Sequence, residues 1–177
     1  MPGLQKKAWW YDQPTMFIMR LNEEIERVRF LELSGKPTDE ELEAYLAFEA
    51  GRVGSSASQD AVLILRLTDV WTATQRKRMR DFELEYAAKT TARQLGMAMV
   101  VPNALIRGAF TAYFWLAPAA YPTAAVPHAA AAYPFVTTCL QQAGLPVPAR
   151  EEFELIANSE WRGQVVQPDG GLLPLAS

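Results

Sequence analysis

Short apolar runs and longer amphipathic stretches alternate along this chain, and their periods predict most of its elements. Thr15–Leu21 (TMFIMRL) and Arg27–Leu33 (RVRFLEL) are rich in β-branched or large apolar residues and are separated by Asn22-Glu23-Glu24. This pattern predicts two strands joined as a hairpin. Thr38, with Glu41 three residues on and acids throughout the first turn, is a helix start. That helix runs to about Ala50, ends at Gly51, and turns Leu42, Tyr45, Leu46 and the stem of Glu49 inward. Gly54–Gln59 (GSSASQ) is a loop, and Ala61–Leu67 (AVLILRL) is a strand covered on both faces. A helix from about Thr74 to Gln94 carries the stripe Met79, Phe82 and Tyr86, and Gly96–Val101 is the next buried strand.

After Pro102, Asn103 caps a helix over 103–116, in which Ala104, Gly108 and Ala112 repeat every four residues. Such a small-residue ridge predicts a helix lying close against the sheet. Thr123–Val126 reads as a short strand and Ala129–Gln142 as a helix, with Pro134 either interrupting it or occupying its first turn. The order β-β-α-β-α-β-α-(β)-α predicts an α/β fold. Its mixed sheet opens with an antiparallel hairpin and continues with parallel strands joined by crossover helices. Residues 1–14 form an aromatic N-terminal extension, 15–144 the domain, and 145–177 a partly ordered tail. In that tail Arg150–Asn158 is a short helix docked through Phe153, Leu155 and Ile156.

Between Gln94 and Ala149, Arg107 is the only Lys, Arg, Asp or Glu. A membrane span needs about 20 continuous apolar residues. Prolines at 102, 118, 122, 127 and 134 leave no such run, and the longest piece, Asn103–Ala117, contains Arg107. The stretch is therefore expected to be core, with no integral membrane segment. The net charge of −3 offers no electrostatic case for nucleic acid. Cys139 and His128 are each the only residue of their kind, which leaves no intramolecular disulfide, cysteine zinc cluster or histidine-based triad. Both are expected to be packing residues. No phosphate-loop or dinucleotide glycine pattern is present, and no cofactor or metal is expected. The first fourteen residues hold no apolar run of signal-peptide length, so the expected location is cytoplasmic.

The segments AVLILRLTDV (61–70), TATQRKRM (72–79), GMAMVVPNALIRGAFTAYFWLAP (96–118) and Tyr121-Pro122 resemble the STAS-like domains, the fold of bacterial anti-sigma factor antagonists. The likeness is greatest to a bacterial branch of small proteins with an RG…TA…WL segment, here Arg107-Gly108, Thr111-Ala112 and Trp115-Leu116. It covers roughly residues 15–142. Pro134, the tail after Gly144 and the Trp9-Trp10-Tyr11 entry depart from the family pattern. The resemblance implies an interaction or regulatory domain, switched by phosphorylation of a Ser or Thr where a helix starts after the third strand. The family's Asp-Ser pair is missing, and Thr72 and Thr74 are the hydroxyls in that region. Thr72 with Gln75 also has capping-box spacing, which explains it without phosphorylation.

Candidate interaction residues follow. Arg107 is either an anion or partner anchor near the carboxyl end of a strand, where α/β sheets bind ligands, or an arginine whose stem packs while its head meets a carboxylate or carbonyl groups. Arg76 and Arg80 belong to a run of four cations that opposes the dipole of its helix; an acidic partner or a solvated face would each explain it. Trp9 and Trp10 are hot-spot residues if exposed, and cover a sheet edge if folded back. Trp71 follows the central strand and is a candidate wall of a surface groove, whereas Trp115 reads as core. The expected function is a non-enzymatic protein-interaction or regulatory module in a bacterial signalling or assembly system. Its partner is another protein or a second copy of the chain. The alternative is a carrier of a small apolar ligand or lipid, lined by residues 94–149.

Overall fold

A computed structural model describes residues 17–54, 61–69, 71–108, 111, 119–166 and 171–174. Trp9, Trp10, Tyr11 and Trp115 lie outside the described residues. Seven strands form one mixed sheet: β1 (Ile18–Asn22), β2 (Val28–Ser34), β3 (Ala61–Leu67), β4 (Gln94–Val100), β5 (Thr123–Val126), β6 (Arg162–Val166) and β7 (Leu172–Pro174), in the spatial order β5-β4-β3-β2-β1-β6-β7. The opening hairpin pairs antiparallel, with Met19 opposite Leu33, and β2 to β5 run parallel. This is the mixed α/β architecture expected from the order of elements.

Helices α1 (Asp39–Gly54) and α2 (Ala73–Thr91) connect β2 to β3 and β3 to β4. They lie on one face, where Leu42, Tyr45, Leu46 and Phe82 meet Phe17, Leu31, Leu33 and Met97. From β5, at one edge of the four parallel strands, the chain must travel to β6, beside β1. It does so across the opposite face through a 3-10 turn (Ala129–Ala132), α3 (Tyr133–Gln142) and α4 (Arg150–Ala157). Val136, Leu140, Phe153 and Trp161 there cover Phe30, Ile64 and Ala98. Period-two alternation along β2 feeds both layers, which is why six of its seven residues are buried.

Several boundaries differ from the sequence reading. Gly51 does not end α1; the helix runs on to Gly54 because Val53 is buried in the core, which outweighs glycine's poor helix propensity. Pro134 neither breaks nor kinks a long helix. The 3-10 turn precedes it, and the proline sits in the first turn of α3. The segment read as a tail carries α4, as expected, but also β6 and β7, and β6 pairs antiparallel with β1. Phe153 is buried and Leu155 is exposed, so only part of the expected docking face packs. His128 is exposed rather than packed, whereas Cys139 is buried in the core. Gly108 is exposed, and a Cβ there would meet nothing within 4 Å. The close approach expected of the 104–108–112 ridge is thus absent at Gly108. The tight glycine is Gly96, where a Cβ would stand 2.7 Å from Cys139 Sγ and 2.9 Å from Phe135.

Candidate functional site

The carboxyl ends of β2, β3 and β4 release three loops at one end of the sheet, and of the residues singled out from sequence Trp71, Thr72, Thr74, Arg76 and Arg107 lie in or just after these loops. Asp69 Oδ2 accepts from the Gly35 amide at 2.9 Å and from the Thr68 hydroxyl at 2.9 Å, tying the loop after β3 to the loop after β2. Gly35 has φ 87°, a left-handed conformation that glycine takes without strain. A second tie runs from Gln75 Nε2 to the Pro37 carbonyl at 2.7 Å. Gln75 also completes a capping box: its amide donates to Thr72 Oγ1 at 3.2 Å, and its Oε1 accepts from the Thr72 amide at 3.0 Å. Thr38 and Glu41 form the same arrangement at the start of α1. Both boxes follow from the spacing Thr-x-x-Gln/Glu.

Thr72 is therefore occupied as a cap. Thr74 is exposed in the first turn of α2, and among the described residues its hydroxyl makes no hydrogen bond. Trp71 is buried rather than exposed at the surface. It is 5 % exposed and packs edge-on against Phe17 with ring centroids 5.9 Å apart. Its indole Nε1 is buried without an acceptor among the described residues.

The cations of α2 are largely committed to local partners. Arg76 donates from Nη1 to the Trp71 carbonyl at 2.5 Å, closing the loop behind the cap. Lys77 meets Asp81 at 2.6 Å. Arg78 makes two bonds to Glu43 of α1, at 2.6 and 2.8 Å. This pairing holds the Glu43 carboxyl below its usual range through the hydrogen bond from Arg78. Arg80 lies on the exposed side. Arg107 has the carbonyl-bonded role: Nη1 donates to Val101 O at 2.8 Å and to Pro102 O at 3.1 Å. The helix it belongs to is capped by Asn103, whose Oδ1 accepts from the amides of Leu105 and Ile106. Leu105 is 84 % exposed and Ile106 51 %. This edge thus presents an apolar pair, an exposed threonine and a braced loop.

At the opposite edge, where β2, β3 and β4 begin, lies an ion cluster that was not singled out from sequence. Arg29 on β2 reaches α1 and donates to Glu49 at 2.6 and 3.1 Å. Arg52 Nε donates to the same carboxylate at 2.9 Å, and Glu23 stands 3.4 Å from Arg29 Nε. The side chains of Arg29 and Glu49 are 4 % and 8 % exposed. Burial alone would raise the Glu49 carboxyl, but Arg29 and Arg52 outweigh it and hold the group below its ordinary range. Burial likewise opposes the charge on Arg29, and Glu49 overcomes it. Burial and the charge of Glu49 push the nearby Tyr45 hydroxyl far up, so it stays neutral. The sequence signal for this cluster was Glu49 itself, an acid on the buried stripe of α1, which demands a cation without naming it.

Among the described residues no helix is long and apolar enough to cross a membrane, and no three His, Cys, Asp or Glu side chains are placed to hold a metal ion. Comparison of the chain with protein-family models, with curated proteins and with solved structures returned no match.

Proposed function

We propose that this chain is a STAS-like protein-interaction module, working in the cytoplasm of a bacterium in a signalling or assembly system. In this reading it engages its partner through the edge formed by the start of α2 and by residues 103–108. The observation that carries the reading is the exposure of Leu105 and Ile106 side by side at that edge. Two large apolar side chains on the first turn of a capped helix gain free energy when a partner removes them from water, about 1.5–3 kcal/mol each when fully buried. The order of the first six elements and the capped helix after the third strand support the family likeness. Thr74, exposed where the family carries its phosphorylated hydroxyl, is the residue at which a phosphate would alter this surface.

The test is capture of a partner from the native cell by tagged full-length protein, followed by affinity measurement with the Leu105→Ser/Ile106→Ser variant. Both positions are exposed, so stability should stay within about 0.5 kcal/mol. Partner affinity should fall on the order of tenfold or more, the equivalent of about 1.4 kcal/mol. A partner that binds the double variant as tightly as the parent overturns the assigned surface. A chain that captures nothing and stays monomeric at high concentration overturns the interaction reading.

A further inference from the structure

The exposed pair Leu105 and Ile106 and the aromatic segment that precedes β1 share one end of the sheet. Ile18 pairs with Ser34, the last residue of β2, so β1 starts level with the carboxyl ends of the parallel strands. Phe17, just before it, is fully buried there and packs edge-on against Trp71. Residues 1–16 lie outside the described residues, and Phe17 fixes the point at which they join the domain. Residues 103–108 leave the carboxyl end of β4 on the same side.

Two lengths decide whether the segment and the pair can meet. β1 and β4 are three strand spacings apart, about 14 Å. Trp10 stands seven residues before Phe17, and an extended chain of that length spans at most about 23–25 Å. The reach exceeds the sideways distance by about 10 Å, room for the turn between β4 and residues 103–108. Trp9, Trp10 and Tyr11 each bring about 150–250 Å² of surface to bury. Leu105 and Ile106 are adjacent, 84 % and 51 % exposed, and offer two apolar side chains to a pair of indoles. The other large apolar side chains exposed among the described residues, Leu84, Leu155 and Leu173, lie one each on α2, α4 and β7. Leu173 is close to β1, in one cross-strand row with Ile18 through Val165, but it offers one side chain in place of two. A tethered group acts at an effective concentration of about millimolar, so the attached segment competes ahead of a second copy in solution.

We propose that Trp9 and Trp10 fold back over Leu105 and Ile106 in the free protein, an autoinhibitory contact that a partner displaces. The regulatory half of this inference rests on the reading of Leu105 and Ile106 as the docking surface; the contact itself does not. A segment that covers the pair in about nine molecules of ten lowers the apparent affinity of a partner about tenfold.

The experiment uses the full chain with photoreactive benzoylphenylalanine in place of Leu105 and, in a second preparation, in place of Leu173. Both positions are exposed, and circular dichroism checks that the fold is kept. Each preparation is irradiated at low micromolar concentration, as an equal mixture of isotope-labelled and unlabelled chain, and the crosslinks are mapped by mass spectrometry. The expected result is crosslinking from position 105 to residues 6–14 of the same chain, lost in Trp9→Ser/Trp10→Ser and weak from position 173. Trp9→Ser/Trp10→Ser should bind a captured partner about tenfold more tightly than the parent, the opposite sign to Leu105→Ser/Ile106→Ser. Crosslinks from position 105 that miss residues 1–16, that join two chains, or that survive Trp9→Ser/Trp10→Ser overturn the contact. Equal crosslinking from position 173 overturns it too. A partner that binds Trp9→Ser/Trp10→Ser no more tightly than the parent overturns the autoinhibition. Crosslinking needs no partner, so a chain that captures nothing yet shows the expected crosslink keeps the contact and loses only the interaction reading.

Discussion

Replacing Glu49 by leucine tests the energetics of the buried cluster directly. The substitution removes the carboxylate that takes two bonds from Arg29 and one from Arg52, and leaves Arg29, only 4 % exposed, with Glu23 at 3.4 Å as its nearest acid. Breaking a buried pair by deleting one partner costs about 3–5 kcal/mol, because the other charge stays buried without compensation. A domain of this size moves about 2–4 °C per kcal/mol, so the melting temperature should drop by about 6–20 °C. The double variant Arg29→Met/Glu49→Leu replaces both charges with apolar groups and should recover most of the loss. Urea unfolding followed by tryptophan fluorescence measures both variants, and a lower midpoint at unchanged slope identifies a true stability change. The pH profile gives an independent reading. The Glu49 carboxyl is held below its ordinary value in the folded chain, so the unfolded chain binds the proton first as pH falls. The stabilisation is present above the ordinary glutamate pKa of about 4.3 and is lost as pH descends through the folded value. Glu49→Leu should flatten this part of the profile. The exposed Glu43–Arg78 pair contributes little to it. A Glu49→Leu protein within about 1 kcal/mol of the parent would refute the argument that Arg29 depends on this carboxylate.

Gly96→Ala should destabilise by about 1–3 kcal/mol through overpacking against Cys139 and Phe135, and Cys139→Ala in the same chain should relieve part of it, read by chemical denaturation. Thr72→Ala, which opens the capping box of α2, should cost about 0.5–2 kcal/mol in the same assay. Gly108→Leu should leave stability unchanged or raise it by up to about 1 kcal/mol, since a Cβ there meets open space and leucine favours helix. A clear loss of melting temperature in that variant would mean that the helix beyond Asn103 packs more closely at Gly108 than the structure shows.

The elements of the domain were legible in the sequence wherever local chemistry decides. The caps at Thr38, Thr72 and Asn103 were readable because a capping residue acts within three positions of itself. The apolar run Ala61–Leu67 announced a strand buried on both faces, and the bounds of β3 match it. The mixed sheet, with its antiparallel hairpin and parallel continuation, followed from the order of elements. Tertiary structure alone decided the rest, because it depends on partners distant in sequence. The strands 162–166 and 172–174 are short, with no strong apolar alternation, and exist because β1 offers an open edge for β6 to pair with. The 104–108 ridge looked like a packing face because glycine spacing is the same whether or not a neighbour arrives, and at Gly108 none does. Trp71 could have faced solvent or core; the packing of Phe17, distant in sequence, against its ring goes with its burial. Arg29 on β2 and Glu49 and Arg52 on α1 come from two separate stretches of chain, and only the stacking of α1 on the sheet brings them into one ion cluster.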